Sequence, residues 1–123
     1  MYIEIDFQSD EALYLQLRNQ IILGIANSLL HEGDALPPVR QMAGEIGINM
    51  HTVNKAYALL RQEGIVSIDR RRGTVICVDV DGARALEEAR SGMEKVLAKA
   101  SCHGLDREQM HQLVDEICDG WGM

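Results

Sequence analysis

The sequence predicts a mainly α fold carrying one small β-hairpin. Three observations support this. Apolar residues recur at helical spacing in five stretches. Two β-prone runs flank a charged tip that ends in glycine. Glycine or proline stands where the helical stretches must stop or turn.

Residues 1–8 alternate weakly through Ile3, Ile5 and Phe7 and read as an extended lead-in. Residues 11–30 set Leu13, Leu17, Ile21, Ile25 and Leu29 at four-residue steps, the stripe of an amphipathic helix. Glu32-Gly33-Asp34 ends that helix. Leu36-Pro37-Pro38 is extended, and Pro38 suits the first turn of a second helix. The second helix runs to about Glu45 and stops at Gly47, a favourable residue just past a helix end. Ile48 is expected to be buried in a short turn. Asn49 suits the N-cap of a third helix over about 50–63, with Val53, Ala56, Tyr57 and Leu60 on one face. Gly64 terminates it. The runs Ile65-Val66-Ser67-Ile68 and Thr74-Val75-Ile76-Cys77-Val78 enclose Arg70-Arg71-Arg72-Gly73 and predict a hairpin.

Helix, helix, tight turn, helix, hairpin is the order of a winged helix-turn-helix. Two further helical patterns follow it. Residues 81–103 carry Leu86, Ala89, Met93, Val96, Leu97 and Ala100; residues 106–119 carry Met110, Leu113, Val114 and Ile117, with Trp121 continuing the stripe. Two helices forming one hairpin cannot bury both stripes against each other, and isolated helices are marginal. A second copy of the same hairpin is the most economical cover. Leu86, Met93, Leu97, Met110, Leu113, Val114, Ile117 and Trp121 are therefore the candidate dimerisation residues. Residues 1–78 are expected to form the winged helix-turn-helix domain and 79–123 the helical dimerisation tail.

Charge follows the same division. The 123 residues hold 12 basic and 19 acidic side chains, a net charge of −7. Residues 79–123 alone carry ten acidic groups against five basic. Residues 40–78 reverse the sign, with six basic groups against three acidic. Basic charge is thus gathered where a binding surface would lie. No apolar run approaches the roughly 18 residues of a membrane span. Residues 1–8 include Glu4 and Asp6 and no basic cluster, so no signal peptide is expected. Three cysteines, Cys77, Cys102 and Cys118, form no framework spacing, and a reduced, cytoplasmic setting is the expectation.

The helix-turn-helix core is Ala43-Gly44-Glu45-Ile46-Gly47-Ile48-Asn49-Met50-His51-Thr52-Val53. The second helix of such a unit fits a major groove about 12 Å wide and presents its N-terminal residues to base edges. Asn49, His51, Thr52, Asn54 and Lys55 stand there, and all can donate or accept hydrogen bonds. Asn49 also has a purely capping role open to it, and His51 and Asn54 can equally form a solvated face. Tyr57 lies among apolar positions and is expected in the core rather than on a phosphate. Arg40, in the first turn of the second helix, is placed for a backbone phosphate, with a surface ion pair as the alternative. Arg70, Arg71, Arg72 and Gly73 form the wing tip; three adjacent like charges fit a phosphate backbone or minor groove, or a solvated turn.

These segments resemble a known family. Leu13-Tyr14-Leu15-Gln16-Leu17, Gly33-Asp34-Ala35-Leu36-Pro37-Pro38-Val39-Arg40, Asn49 to Tyr57, and Glu63-Gly64-Ile65 are similar to the N-terminal domain of GntR-family bacterial transcription regulators. The resemblance covers about residues 10–78 in the family's order and spacing. The short tail resembles the YtrA-like branch. The resemblance implies operator contacts by Arg40, by the start of the recognition helix and by the wing tip. It also implies a homodimer on an inverted repeat of double-stranded DNA, with repression the expected output. Two departures stand out: Pro38 replaces a small capping residue, and Arg71 replaces the first glycine of an Arg-Gly-Lys-Gly wing.

Rival readings have less to rest on. A metal- or thiol-responsive DNA sensor would use Cys102, His111 and Cys118, but no CxxC or HxxxH pair exists. A protein-interaction adaptor would use the acidic helices without DNA. No nucleotide-binding or nucleophile motif points to an enzyme. No cofactor is expected, and whether a small-molecule effector acts on the protein is unknown from the sequence.

Overall fold

The computed structural model describes residues 3–123. It divides into two compact units, one ending at Asp79 and one spanning Val80–Met123. The first holds α1 (Leu13–Ala26), α2 (Val39–Ile46), α3 (Met50–Gln62), β1 (Val66–Asp69) and β2 (Gly73–Ile76). The second holds α4 (Gly82–Cys102) and α5 (Arg107–Gly120). The mainly α class, the hairpin and the order of elements agree with the sequence.

The core of the first unit is built around α3. Val53, Ala56, Tyr57 and Leu60 are buried on one face of that helix. They meet Leu17 and Ile21 of α1, Met42 and Ala43 of α2, Leu36, Val66 of β1 and Ile76 of β2. Leu17, Ile21, Val53, Ala56 and Leu60 are fully excluded from solvent. Burying each of the larger of these stabilises by roughly 1.5–3 kcal/mol. Tyr57 keeps its polar end satisfied: its hydroxyl donates to the Pro37 carbonyl at 2.7 Å. Burial, aided by the charge of Glu45, pushes its phenol well above the ordinary range. A guanidinium–carboxylate pair locks α1 to the end of α3, with Arg18 Nε donating to Glu63 at 2.7 Å. That pairing raises the Arg18 pKa further, against the opposing effect of burial.

Several boundaries differ from expectation. α1 stops at Ala26, four residues short of residue 30. Ser28 turns to φ 61°, and the Leu29 and Leu30 amides both donate back to Gly24 O. Leu29 is consequently thrown outward and is 75% exposed, whereas the sequence put it on the buried stripe. Leu30 folds over Gly24 instead, its Cδ1 3.0 Å from where a Cβ would stand. Pro38 is the N-cap of α2 rather than a residue of its first turn. Ile48 is half-buried, not buried. β1 is shifted by one residue and β2 is shifted and shorter, ending at Ile76; Cys77 N still bonds Ile65 O, and Val78 N turns to the Glu32 carboxylate.

Two non-local arrangements hold the unit together at its margins. Buried Gln16 satisfies both ends of its amide on the lead-in: Oε1 accepts from Asp6 N, and Nε2 donates to Asp6 O and Glu11 O. One turn later Gln20 accepts from Glu4 N at 2.8 Å and donates to Glu4 O. On the other side, residues 33–36 pair with β2 through Gly33 N to Ile76 O, Ile76 N to Asp34 O and Leu36 N to Thr74 O. The hairpin is thereby backed by a third extended segment.

Gly64 carries a local constraint. It sits at φ 74° between α3 and β1, and a Cβ added there would lie 2.3 Å from the Asp79 carboxylate. Gly64→Ala is expected to cost about 1–2 kcal/mol from the left-handed backbone alone, with Asp79 also forced to swing away. A melting temperature lower by about 4–15 °C checks this; an unchanged one would show that the turn relaxes freely.

The second unit has no buried side chain at all. Its helices are locally well specified nonetheless. Asp81 caps α4 by accepting from Arg84 N, and Asp106 with Gln109 forms a reciprocal capping box on α5. α5 runs on to Gly120. No helix among the described residues is long and apolar enough to cross a membrane.

Candidate nucleic-acid interface

α3 divides into a buried face and an exposed one. Asn49 caps it, its side chain accepting from His51 N at 2.7 Å. α2 ends with Gly47 at φ 73° and with Ile48 N bonded to Ala43 O, which sets the sharp turn into α3. His51, Asn54 and Lys55 are exposed, and Thr52 is half-buried. Within a single helical turn this surface faces two directions. His51, Thr52 and Lys55 face α1, around a shallow groove with Leu13 and Tyr14. Asn54 faces the wing, in an open groove with Ile68 and Thr74. The residues predicted as one reading set are thus split between two grooves flanking the start of the helix.

Lys55 is placed differently from a free contact residue. Its ammonium lies 4.1 Å from the centroid of the Tyr14 ring. Such an exposed cation–π contact is worth about 0.5–1 kcal/mol. It fixes the direction of the lysine without neutralising its charge. Tyr14 enters the sequence reading only within the family motif; its contact with Lys55, 41 positions away, has no local signature.

Arg40 is the second residue of α2 and is exposed. The amides of this first turn receive no side-chain cap, since Pro38 supplies none. Helix N-termini in that state favour an anion.

The wing tip is more ordered than three adjacent arginines suggest. β1 and β2 pair antiparallel, Asp69 opposite Gly73, so Arg70, Arg71 and Arg72 form a three-residue loop. Gly73, at φ 78°, supplies the left-handed position that closes such a loop. The Asp69 carboxylate accepts from Arg71 N at 2.8 Å and from Arg72 N at 3.0 Å. Those two backbone bonds, first that of Arg71 and then that of Arg72, hold its carboxyl below the usual carboxylate range. The acid spends itself on the loop backbone, and all three arginine side chains project into solvent. Arg71 in place of glycine is accommodated because the left-handed position falls on Gly73 instead.

The tail cysteines and histidine are not gathered. Cys102 is exposed and Cys118 half-buried, both as free thiols. Among the described residues no group of three or more His, Cys, Asp or Glu could hold a metal ion. Cys102, His111 and Cys118 accordingly form no such metal-holding group.

The family model of bacterial regulatory proteins of the gntR family matches residues 10–76. The chain belongs to the gntR family. The chain is 32% identical over 120 residues to the HTH-type transcriptional repressor YtrA of Bacillus subtilis, covering 94% of this chain and 91% of that one. YtrA from Sulfolobus acidocaldarius, a GntR-family transcription factor, superposes with TM-score 0.67 and 35% identity over 81% of this chain and 97% of that one. A transcriptional antiterminator from Listeria monocytogenes EGD-e superposes with TM-score 0.87 and 27% identity over 100% and 95% of the two chains. This gntR-family protein is accordingly a DNA-binding transcription regulator of the YtrA-like branch, and not an enzyme.

Proposed function

We propose that the protein is a cytoplasmic repressor that binds an inverted-repeat operator as a homodimer. The first unit reads one half-site, and the helical tail pairs two copies. The observation that carries this reading is the exposed N-terminal half of α3, set beside an arginine-tipped wing on a rigid core. Support for pairing comes from the tail: Leu86, Met93, Leu113, Val114 and Ile117 are each more than 40% exposed. Apolar surface of that extent marks an interaction site. YtrA of Bacillus subtilis carries the name repressor, which favours that output here.

Half-sites one or two helical turns apart suit such a dimer. The decisive test is a gel shift on the promoter fragment upstream of the protein's own gene, repeated across a salt series. Specific retention with a steep loss of affinity as salt rises is expected. Failure to prefer any promoter fragment over bulk DNA would remove the operator reading.

Two substitutions assign the roles. Arg40→Ala is expected to leave the melting temperature intact, to lower the salt slope by about one unit and to weaken binding about fivefold at physiological salt. An unchanged slope would return Arg40 to an ordinary surface position. Asn54→Ala is expected to relax preference at one or two base positions per half-site, as read by selection from a random oligonucleotide pool. An identical selected motif with uniformly lower affinity would move Asn54 to a phosphate.

A further inference from the structure

The groove between α3 and the wing contains one basic residue to which neither the motif nor the family resemblance gives a role. Arg61 lies seven residues beyond Asn54, two turns along the same side of α3. Both line the open groove whose far wall is Ile68 and Thr74 of the hairpin. At 1.5 Å per residue, the two side chains are about 10 Å apart along the helix axis. Ala58, between them, keeps the floor of the groove low.

Three features suit this groove to one DNA strand rather than to water or a small molecule. Arg61 is exposed, and no described carboxylate lies in ion-pair contact with it. The nearest acid in the chain, Glu63, is already clamped by Arg18. The polar end of Tyr57 is likewise committed, to Pro37 O. The opposite wall offers Ile68, 62% exposed, an apolar surface that suits a deoxyribose ring better than solvent. A recognition helix in the major groove and a wing beyond it must have the intervening phosphate backbone pass between them.

We infer that the groove between α3 and the wing holds a stretch of DNA backbone, with the Arg61 guanidinium binding a phosphate there. This rests on the DNA-binding reading of α3 and adds a contact that anchors its C-terminal end. Asn54 at one end and Arg61 at the other set how deeply and at what tilt the helix enters the major groove. Arg61 is in that sense a positioning residue for the base contacts.

The alternative role of Arg61 is to complement the helix dipole in the last turn of α3. The test separates the two. Binding of the full chain to a duplex of unrelated sequence is followed by fluorescence anisotropy from low to physiological salt, because phosphate contacts persist in non-specific binding. Arg61→Gln is expected to lower the salt slope by about one unit and to weaken binding about fivefold at physiological salt. Arg61→Lys, which keeps the charge, is expected to restore most of the slope. Melting temperatures of both variants are expected to stay at the wild-type value. A wild-type slope for Arg61→Gln overturns the inference, and a lower melting temperature with that unchanged slope assigns Arg61 to the helix dipole. If the wild-type chain itself fails to bind the duplex at low salt, the DNA-binding reading falls and the inference with it.

Discussion

A protein shortened to end at Asp79 is expected to fold, to behave as a monomer and to bind a full inverted repeat at least about a hundredfold more weakly than the intact chain. Folding survives because every buried side chain lies at or before Ile76, so the cut removes no part of the core. The Gly64–Asp79 backbone bond, the last tie of the hairpin end, is also retained. Dimerisation is lost because the removed helices leave every one of their side chains at least partly exposed within one chain. They carry Leu86, Met93, Leu97, Met110, Leu113, Val114, Ile117 and Trp121, none of them buried. Each such side chain is worth roughly 1.5–3 kcal/mol when a partner covers it fully. Several together outweigh an association cost of about 4–15 kcal/mol. A dimer then engages the second half-site at high effective concentration, an avidity of about 10²–10⁴. Sedimentation equilibrium reads the first half of this expectation, and a gel shift on whole and half operators reads the second. A shortened protein that remains dimeric, or an intact monomer that binds as tightly, would place the pairing surface elsewhere.

The parts legible in the sequence were those set by local rules. The cap at Asn49, the end of α2 at Gly47 and the buried stripe of α3 are each decided within a few residues. The same holds for the capped tail helices, whose apolar spacing was plain and whose caps are aspartates. Departures arose where a distant group intervened. Leu29 fits the stripe of α1, but the chain reverses at Ser28 and Leu30 takes the space over Gly24. Gly33 and Asp34 read only as the end of the first helix and Leu36 only as extended, since their ladder partner β2 lies some forty positions on. The clamp of Gln16 and Gln20 on the lead-in has no periodic signature, because its bonds run from side chain to backbone. The candidate interface shows the same split. Arg40 and the start of α3 could be located from spacing alone. The seat of Lys55 on Tyr14, and the shared groove of Asn54 and Arg61, appear only once α1 and the wing are folded beside α3.

Replacing Arg70, Arg71 and Arg72 together by alanine is expected to lower the salt slope by about two to three units and to weaken operator binding about a hundredfold at physiological salt. The three side chains project into solvent from one loop, so they can meet up to three phosphates at once. Each phosphate neutralised contributes about 0.9 to the slope, and at physiological salt about a fivefold gain in affinity. Three compound to about a hundredfold. The loop itself is expected to survive, because its closure depends on the Asp69 carboxylate, the Arg71 and Arg72 amides and Gly73. Alanine retains the amides, so the melting temperature should stay close to the wild type. Relieving three adjacent like charges, if anything, favours the folded hairpin. Sequence ranking is expected to change little, since phosphates carry no base identity. The contrasting result is informative: collapse of preference at A/T-rich flanks would mean that an arginine enters a narrowed minor groove and reads its shape. A control variant separates loop from charge. Asp69→Asn keeps the three arginines but weakens the acceptor that orders their backbone. It is expected to leave the salt slope intact and to weaken binding only slightly, because the same charges then reach the backbone from a looser loop. A slope that falls as far for Asp69→Asn as for the triple variant would show that loop order, rather than arginine charge, governs the contact.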